Sequence, residues 1–171
     1  MEIVIRKIEF DDIPSVVDIQ MNGWKEAYRG IIDDNYLDSM NRNKKIEKMK
    51  NNYQDGFFIV AVLNDEIVGF CRYYDDNHFS PDYQVDCEIV ALYIKPEYKY
   101  QGIGTKLFNY VVKCFKKMNK KKMIIWCLKD NYPSRKFYLK MGGKLIGEKG
   151  FVKANKSYPE VGYLYELDKI E

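Results

Sequence analysis

Apolar residues recur along this chain with two periods, and the switches between them mark its elements. Residues 3–9 (IVIRKIE) alternate as a strand does. Asp11 or Asp12 then caps a helix that tolerates Pro14 in its first turn. Ile13, Val16, Val17 and Ile19 give that helix a broad apolar face; it runs to about Tyr28 and is ended by Gly30. A second helical zone covers about 33–52, with a break near Asn41. From 57 to 63 the pattern becomes β-branched and aromatic, Asn64-Asp65 reads as a turn, and 67–74 is the returning strand of a hairpin. A polar loop covers 75–84 and a long strand 85–94. Residues 102–118 form a helix with Leu107, Phe108, Val111, Val112, Phe115 and Met118 on one face. A buried strand at 123–128 follows, then a short helix at 133–141 stopped by Gly142-Gly143, and strands at 144–152 and 162–167. The order is β-α-α-β-β-β-α-β-α-β-β, with no internal repeat or linker.

At 171 residues and 46% hydrophobic, the chain is expected to form one domain spanning 1–171 with a core of its own. No apolar run approaches the roughly 20 residues of a membrane span. The N-terminal MEIVIRKIEF lacks the long apolar core of a secretory signal, so a cytoplasmic protein is expected. His78 is the only histidine, which excludes a two-histidine metal site within the chain, and no Gly-x-Ser-x-Gly elbow accompanies it. Cys71, Cys87, Cys114 and Cys127 form no CxxC pair and lie in apolar segments, as reduced core thiols do. No metal is expected.

Charge sharpens this picture. The net charge of +3 conceals 10 basic against 18 acidic residues in 1–90, and 18 against 7 in 91–171. The two parts carry −8 and +11. A basic half suits a polyanion such as a phosphorylated cofactor, and an acidic half suits a cation. Nucleic acid is disfavoured as a partner, because no reading motif accompanies the lysines.

The basic half holds the informative segment, from Glu88 through Lys99-Tyr-Gln-Gly102-Ile103-Gly104-Thr105. A strand runs through a short loop into a helix. The first N–H groups of a helix have no partner inside it, and its dipole favours negative charge there. Glycines admit a phosphate to the backbone, Thr105 adds a hydroxyl, and Lys99 and Lys106 flank the turn. No Gly-Lys-Ser/Thr makes this a Walker loop, and Leu107 stands where a dinucleotide fingerprint needs its third glycine.

Two stretches together resemble the GCN5-related N-acetyltransferase (GNAT) family. One is Ala91-Leu92-Tyr93-Ile94-x-Pro96 followed by Lys99-x-x-Gly102-x-Gly104, where the family carries Gln or Arg in place of Lys99. The other is Asn131-Tyr-Pro-Ser134-Arg-Lys-Phe137-Tyr138-Leu-Lys-Met-Gly142. Their spacing matches as well, and the element order agrees over essentially the whole chain. Trp24-Lys-Glu-Ala-Tyr28-Arg-Gly30 is similar to a branch that includes polyamine acetyltransferases.

The resemblance implies an α/β fold: a mixed, mostly antiparallel seven-stranded sheet, helices on both faces, and a splayed central strand pair, here 85–94 and 123–129. It implies acetyl-CoA as co-substrate. Its pyrophosphate would lie on the N–H groups from Tyr100 through Gln101, Gly102, Ile103 and Gly104 to Thr105. Its pantetheine arm would run beside Leu92, Tyr93 and Ile94, with Asn131 and Ser134 on the next loop and helix. The lysine-rich run 116–122 is a second candidate for phosphate contact. Tyr138 matches the position of the acid that protonates the leaving thiolate, and an N–H near Leu92 that of the carbonyl donor. Glu88 is the candidate base, with Asp86 and Glu26 as rivals. Trp24 and Tyr28 would belong to the acceptor wall, where aromatic and acidic residues suit a small cationic amine such as a polyamine; a peptide amine is the other acceptor class. A non-catalytic acyl-CoA-binding module of the same fold is the alternative reading, and a homodimer is left open.

Overall fold

The computed structural model describes residues 2–171. The elements are β1 (Val4–Lys7), α1 (Ile13–Tyr28), α2 (Asp34–Ser39), α3 (Arg42–Asn52), β2 (Phe57–Leu63), β3 (Glu66–Tyr74), β4 (Cys87–Ile94), α4 (Ile103–Lys117), β5 (Lys122–Leu128), α5 (Tyr132–Lys140), β6 (Lys144–Lys153) and β7 (Lys156–Glu166). One seven-stranded sheet runs in the order β1-β2-β3-β4-β5-β7-β6. Every neighbouring pair is antiparallel except β4 and β5, which are parallel and joined by the α4 crossover.

Alternation along the strands divides the core between the two faces. Ile59 and Ala61 of β2 pack with Ile103, Leu107, Phe108, Val111, Val112 and Phe115, the apolar stripe of α4. Phe58 and Val60 point the other way, onto Ile13, Val16 and Val17 of α1 and Met49 of α3. A third cluster joins Ile32 and Leu37 to Leu128 at the end of β5, with Trp24, Phe151 and Tyr158 packed against it. Helices therefore cover both faces.

Local chemistry explains most of the boundaries. Asn64 and Asp65 take φ of +50° and +62°, the left-handed pair that a two-residue β2–β3 hairpin requires. The second helical zone breaks at Met40, and Asn41 restarts it by accepting the Lys44 N–H at 3.0 Å. One expectation fails: β7 begins at Lys156, six residues before the apolar alternation at 162. Ala154 and Asn155 have φ of +48° and +59° and form a second tight hairpin turn, which pairs Val152 with Ser157 and Phe151 with Tyr158. Pro159 hid this half-strand. It is tolerated because it lies just past the last β5 pair, Leu128↔Glu160.

Candidate active site

A single irregularity organises the centre of the sheet. Arg72 of β3 faces Ala91 of β4, but Tyr73 faces Ile89, so Val90 is an extra residue and forms a β-bulge. The bulge reverses the facing of the rest of β4. Cys87 and Ile89 point to the α4 side, yet Ala91 and Tyr93 point to the α1 side, and Leu92 and Ile94 take the α4 side. On the other flank, β4 pairs with β5 only at Cys87↔Met123, Glu88↔Ile124 and Ile89↔Ile125. Beyond that point the two parallel strands part, and each keeps its ladder only with its outer neighbour, β3 or β7.

A cleft of about 450 Å³ fills the gap. Its lining runs from Ile89 to Ile94 on β4 and from Ile125 to Leu128 on β5. The start of α4 at Gly102, Gly104 and Thr105 borders it, and Trp24, Tyr28 and Phe151 line it as well. Gly102 precedes α4 with φ +83°, and a Cβ placed on it would meet nothing within 4 Å. A Cβ on Gly104 would meet Phe137 at 3.5 Å, an ordinary contact. The Lys106 N–H bonds the Gly102 carbonyl at 3.0 Å, so Ile103, Gly104 and Thr105 supply the N–H groups that precede the helical ladder. This open, glycine-shaped helix start beside an unpaired strand edge fits a phosphorylated, extended ligand.

The expected cofactor residues are partly gathered here. Leu92, Tyr93, Ile94, Lys99, Tyr100, Gly102, Gly104, Thr105, Asn131, Ser134 and Tyr138 all line the cleft. Ile103 does not: its side chain is buried beneath α4, which leaves only its backbone for a ligand. Gln101 turns back to the Glu97 carbonyl at 3.0 Å and is not part of the lining. Lys99 lines the cleft, but its Nζ sits 2.7 Å from Glu26 Oε2, an ion pair that links the loop to α1. Asn131 caps α5 by accepting the Ser134 N–H at 3.4 Å, and this leaves its amide nitrogen as a donor. The run 116–122 is at the wrong end. The 15 residues of α4 separate it from Gly102 by about 22 Å. There Lys116 bonds the Ile170 carbonyl and Lys121 pairs with Asp168.

The candidate acid and bases separate clearly. Tyr138 is buried at the cleft wall, and no hydrogen bond holds its hydroxyl among the described residues. Burial pushes its phenol well above the usual range, so it holds its proton. Glu88 is 1% exposed and is not part of the lining. Its carboxylate accepts the Phe79 N–H at 2.6 Å and the Ser80 hydroxyl at 2.8 Å, and Ser80 in turn accepts Trp126 Nε1 at 2.9 Å. These bonds give Glu88 the work of tying the 75–84 loop to the sheet. Asp86 accepts the N–H groups of Lys122 and Lys121, both at 2.9 Å, and these hold its carboxyl below its ordinary value. Glu26 is the partner of Lys99.

The acceptor end also differs from expectation. Trp24 and Tyr28 line the cleft, their rings 5.1 Å apart, and the Tyr28 hydroxyl meets that of Tyr93 at 3.2 Å. The acids of the α1–α2 region face elsewhere. Asp33 pairs with Lys156, and Arg29 bridges Asp34 and Asp38. Trp24 already has cations of its own chain near its ring, Lys45 at 5.5 Å and Lys153 at 5.7 Å. Among the described lining residues the only carboxylate is Glu160 on β7. Sequence reasoning missed it because its half of β7 went unread.

The family model for the acetyltransferase (GNAT) family matches residues 20–143. A spermidine N(1)-acetyltransferase of Thermoplasma acidophilum is 28% identical over 152 residues, covering 85% of this chain and 90% of that protein. An uncharacterised N-acetyltransferase of Archaeoglobus fulgidus is 30% identical over 135 residues, 78% of this chain and 88% of its own length. Among solved structures, the PaiA N-acetyltransferase of T. acidophilum in complex with coenzyme A superposes with a TM-score of 0.73 at 26% identity. That match covers 94% of this chain and 98% of that one.

Proposed function

The chain belongs to the acetyltransferase (GNAT) family, and from that premise we propose that it moves the acetyl group of acetyl-CoA directly onto a primary amine, with a small cationic amine such as a polyamine as acceptor. The observation that carries this reading is the parting of β4 and β5 after Ile89↔Ile125, which opens a cleft leading to the start of α4. The N–H groups of Ile103, Gly104 and Thr105 bind the pyrophosphate, and Gly102 leaves room for it. The free edge of β4 from Val90 to Ile94 pairs with the pantetheine arm, as an added strand does. The Asn131 amide donates to that arm, and Ser134 borders it.

The chemical step needs a polarised carbonyl, a free amine and a proton for the leaving thiolate. The Leu92 N–H, just past the bulge, polarises the carbonyl, and the Tyr138 hydroxyl protonates the thiolate. The other thiol in reach argues for direct transfer. Cys127 lines the cleft, but burial pushes its thiol up to about 12, so it stays protonated and is a poor nucleophile. The spermidine activity named for the T. acidophilum relative supports the acceptor class, and so does the carboxylate of Glu160 among the aromatic groups of the cleft. Since the α1–α2 acids are paired with the chain's own cations, the acceptor's charge is met at one half-buried point, Glu160, and not by a diffuse acidic wall.

The test is thiol release from acetyl-CoA over a panel of spermidine, lysine-bearing peptides and amino acids, alongside calorimetry with CoA. Turnover with a cationic amine supports the reading. CoA binding without turnover on any amine would return the chain to the non-catalytic alternative.

A further inference from the structure

Glu160 is placed by register. On β7, Val161, Tyr163 and Tyr165 point into the α4-side core. Glu160 takes the opposite face, across from Leu128, which packs with α2. The parting of β4 from β5 then leaves this face open to the cleft, and Glu160 lines it along with Trp126, Tyr28 and Tyr138. No hydrogen bond or ion pair holds its carboxylate among the described residues. The neighbouring cations have other partners. Lys149, across the β6–β7 ladder, donates to the Phe79 carbonyl at 3.1 Å and covers the Trp126 ring at 4.4 Å; Lys129 pairs with Glu148.

Resting on the acetyl-transfer reading, we propose that Glu160 receives the acceptor as its ammonium ion and takes the first proton from it. The carboxylate removes one proton, and the freed nitrogen pair forms the N–C bond to the acetyl carbon. The C–S bond breaks, and its pair goes to sulfur, which takes the Tyr138 proton. The second nitrogen proton restores Tyr138. Glu160 passes its proton to solvent, so each turnover releases one proton, one thiol and one amide.

Burial raises the Glu160 carboxyl above its ordinary value, and the charge of Lys149 opposes that rise. The other titratable groups that sense it are Tyr93 on β4 and Cys127 on β5, both of which hold their protons through burial. Glu160 must be ionised to act, so activity is lost as pH falls through its raised value. Toward pH ~10 an ordinary alkylamine arrives already neutral and no longer needs the base, so the advantage given by Glu160 shrinks there.

The experiment compares the pH profile of kcat/KM for the best amine in the wild type, Glu160→Gln and Glu160→Asp, with CoA affinity measured by calorimetry in each. The wild type should be level above its acid limb. Glu160→Gln should accept only amine already neutral in solution. It should fall roughly 10²–10⁴-fold near neutrality and climb about tenfold per pH unit through the range where the wild type is level, with no break set by Glu160 and CoA affinity unchanged. Glu160→Asp should restore the acid limb. Lys149→Met, which keeps the cover over Trp126, should move that limb to higher pH in an enzyme with Glu160 intact. A Glu160→Gln profile parallel to the wild type, or an unmoved limb in Lys149→Met, would overturn the proposal while acetyl transfer stands. A wild type that binds CoA but acetylates no amine would remove the underlying reading, and the proposal with it.

Discussion

Replacing Gly23 by alanine should damage the site more than the fold. Gly23 is buried in α1 with the Tyr93 ring laid against it. A Cβ there would lie 2.7 Å from Tyr93 Cδ1, and ordinary contact begins near 3.4 Å, so the ring must give way by about 0.7 Å. Phe70, stacked on Tyr93 at 5.4 Å, blocks one direction. The open direction is the cleft, and movement into it pulls at the 3.2 Å bond between the Tyr93 and Tyr28 hydroxyls. Two stability effects oppose each other. Alanine is better than glycine inside a helix by about 1 kcal/mol, and overpacking costs about 1–3 kcal/mol. The net is a loss between roughly zero and 2 kcal/mol, and at about 2–4 °C per kcal/mol for a domain of this size Tm drops by no more than ~8 °C. Misplacing reacting groups by ~1 Å can cost about 100-fold, so kcat/KM for the amine should fall by roughly 10-fold or more. Thermal unfolding and thiol release on the same preparation measure both. A raised Tm with unchanged kcat/KM would mean that Tyr93 yields freely and does not shape the cleft.

Three other perturbations test separate parts. Gly102→Ala forces a Cβ into the left-handed region at about 1–2 kcal/mol and places it where the phosphates would lie; calorimetry should show weakened CoA binding, whereas Gly104→Ala, facing only a 3.5 Å contact with Phe137, should bind nearly as the wild type does. Tyr138→Phe keeps the ring and removes the proton, and kcat should drop by roughly 10²–10⁴-fold where chemistry limits the rate; a few-fold loss under such conditions would make Tyr138 a packing residue. At Asp12, burial works to raise the carboxyl, but the Arg6 bonds at 2.6 and 3.0 Å and the Glu9 N–H outweigh it and leave it below the ordinary 3.8. Its stabilisation is therefore complete above about pH 4 and is lost as pH falls further, so the stability of Asp12→Asn should depend less on acid over that range in denaturant titrations.

How much of this was legible in the sequence depended on whether the cause was local. The Asn64-Asp65 turn, the α4 stripe and the Gly102-Ile103-Gly104 helix start are short-range patterns and could be read directly. The parallel pairing of 85–94 with 123–129 followed from the crossover helix between two apolar strands. The failures all depend on distant partners. Glu88, an acid in an apolar strand, looks functional until Phe79 and Ser80 are seen to occupy it. The lysines at 116–122 read as a phosphate site on charge alone, although the helix read over 102–118 already sets them a helix length from the loop; what the sequence hides is their partners near the C-terminus, Ile170 and Asp168. Glu160 was invisible for two reasons: polar residues and Pro159 disguised its strand, and its exposure arises from the parting of two other strands. The Val90 bulge had no signal at all, since an extra β-branched residue is indistinguishable from an ordinary strand position.

The three residue pairs that join β4 to β5 make the sheet two half-sheets held along a short seam. Past the seam each half carries an edge inside the molecule, where most proteins have none, with backbone donors and acceptors that only water or a ligand can satisfy. On the proposed reading, an extended acyl carrier laid along that edge is a missing eighth strand as well as a substrate. The integrity of the sheet then follows the supply of that carrier: at a concentration of 100 times Kd, binding would add about 2.7 kcal/mol to the folded state. The empty protein would be a looser object than the working one, with the cleft-facing amide hydrogens of Val90–Ile94 and Trp126–Leu128 exchanging until the rung is filled.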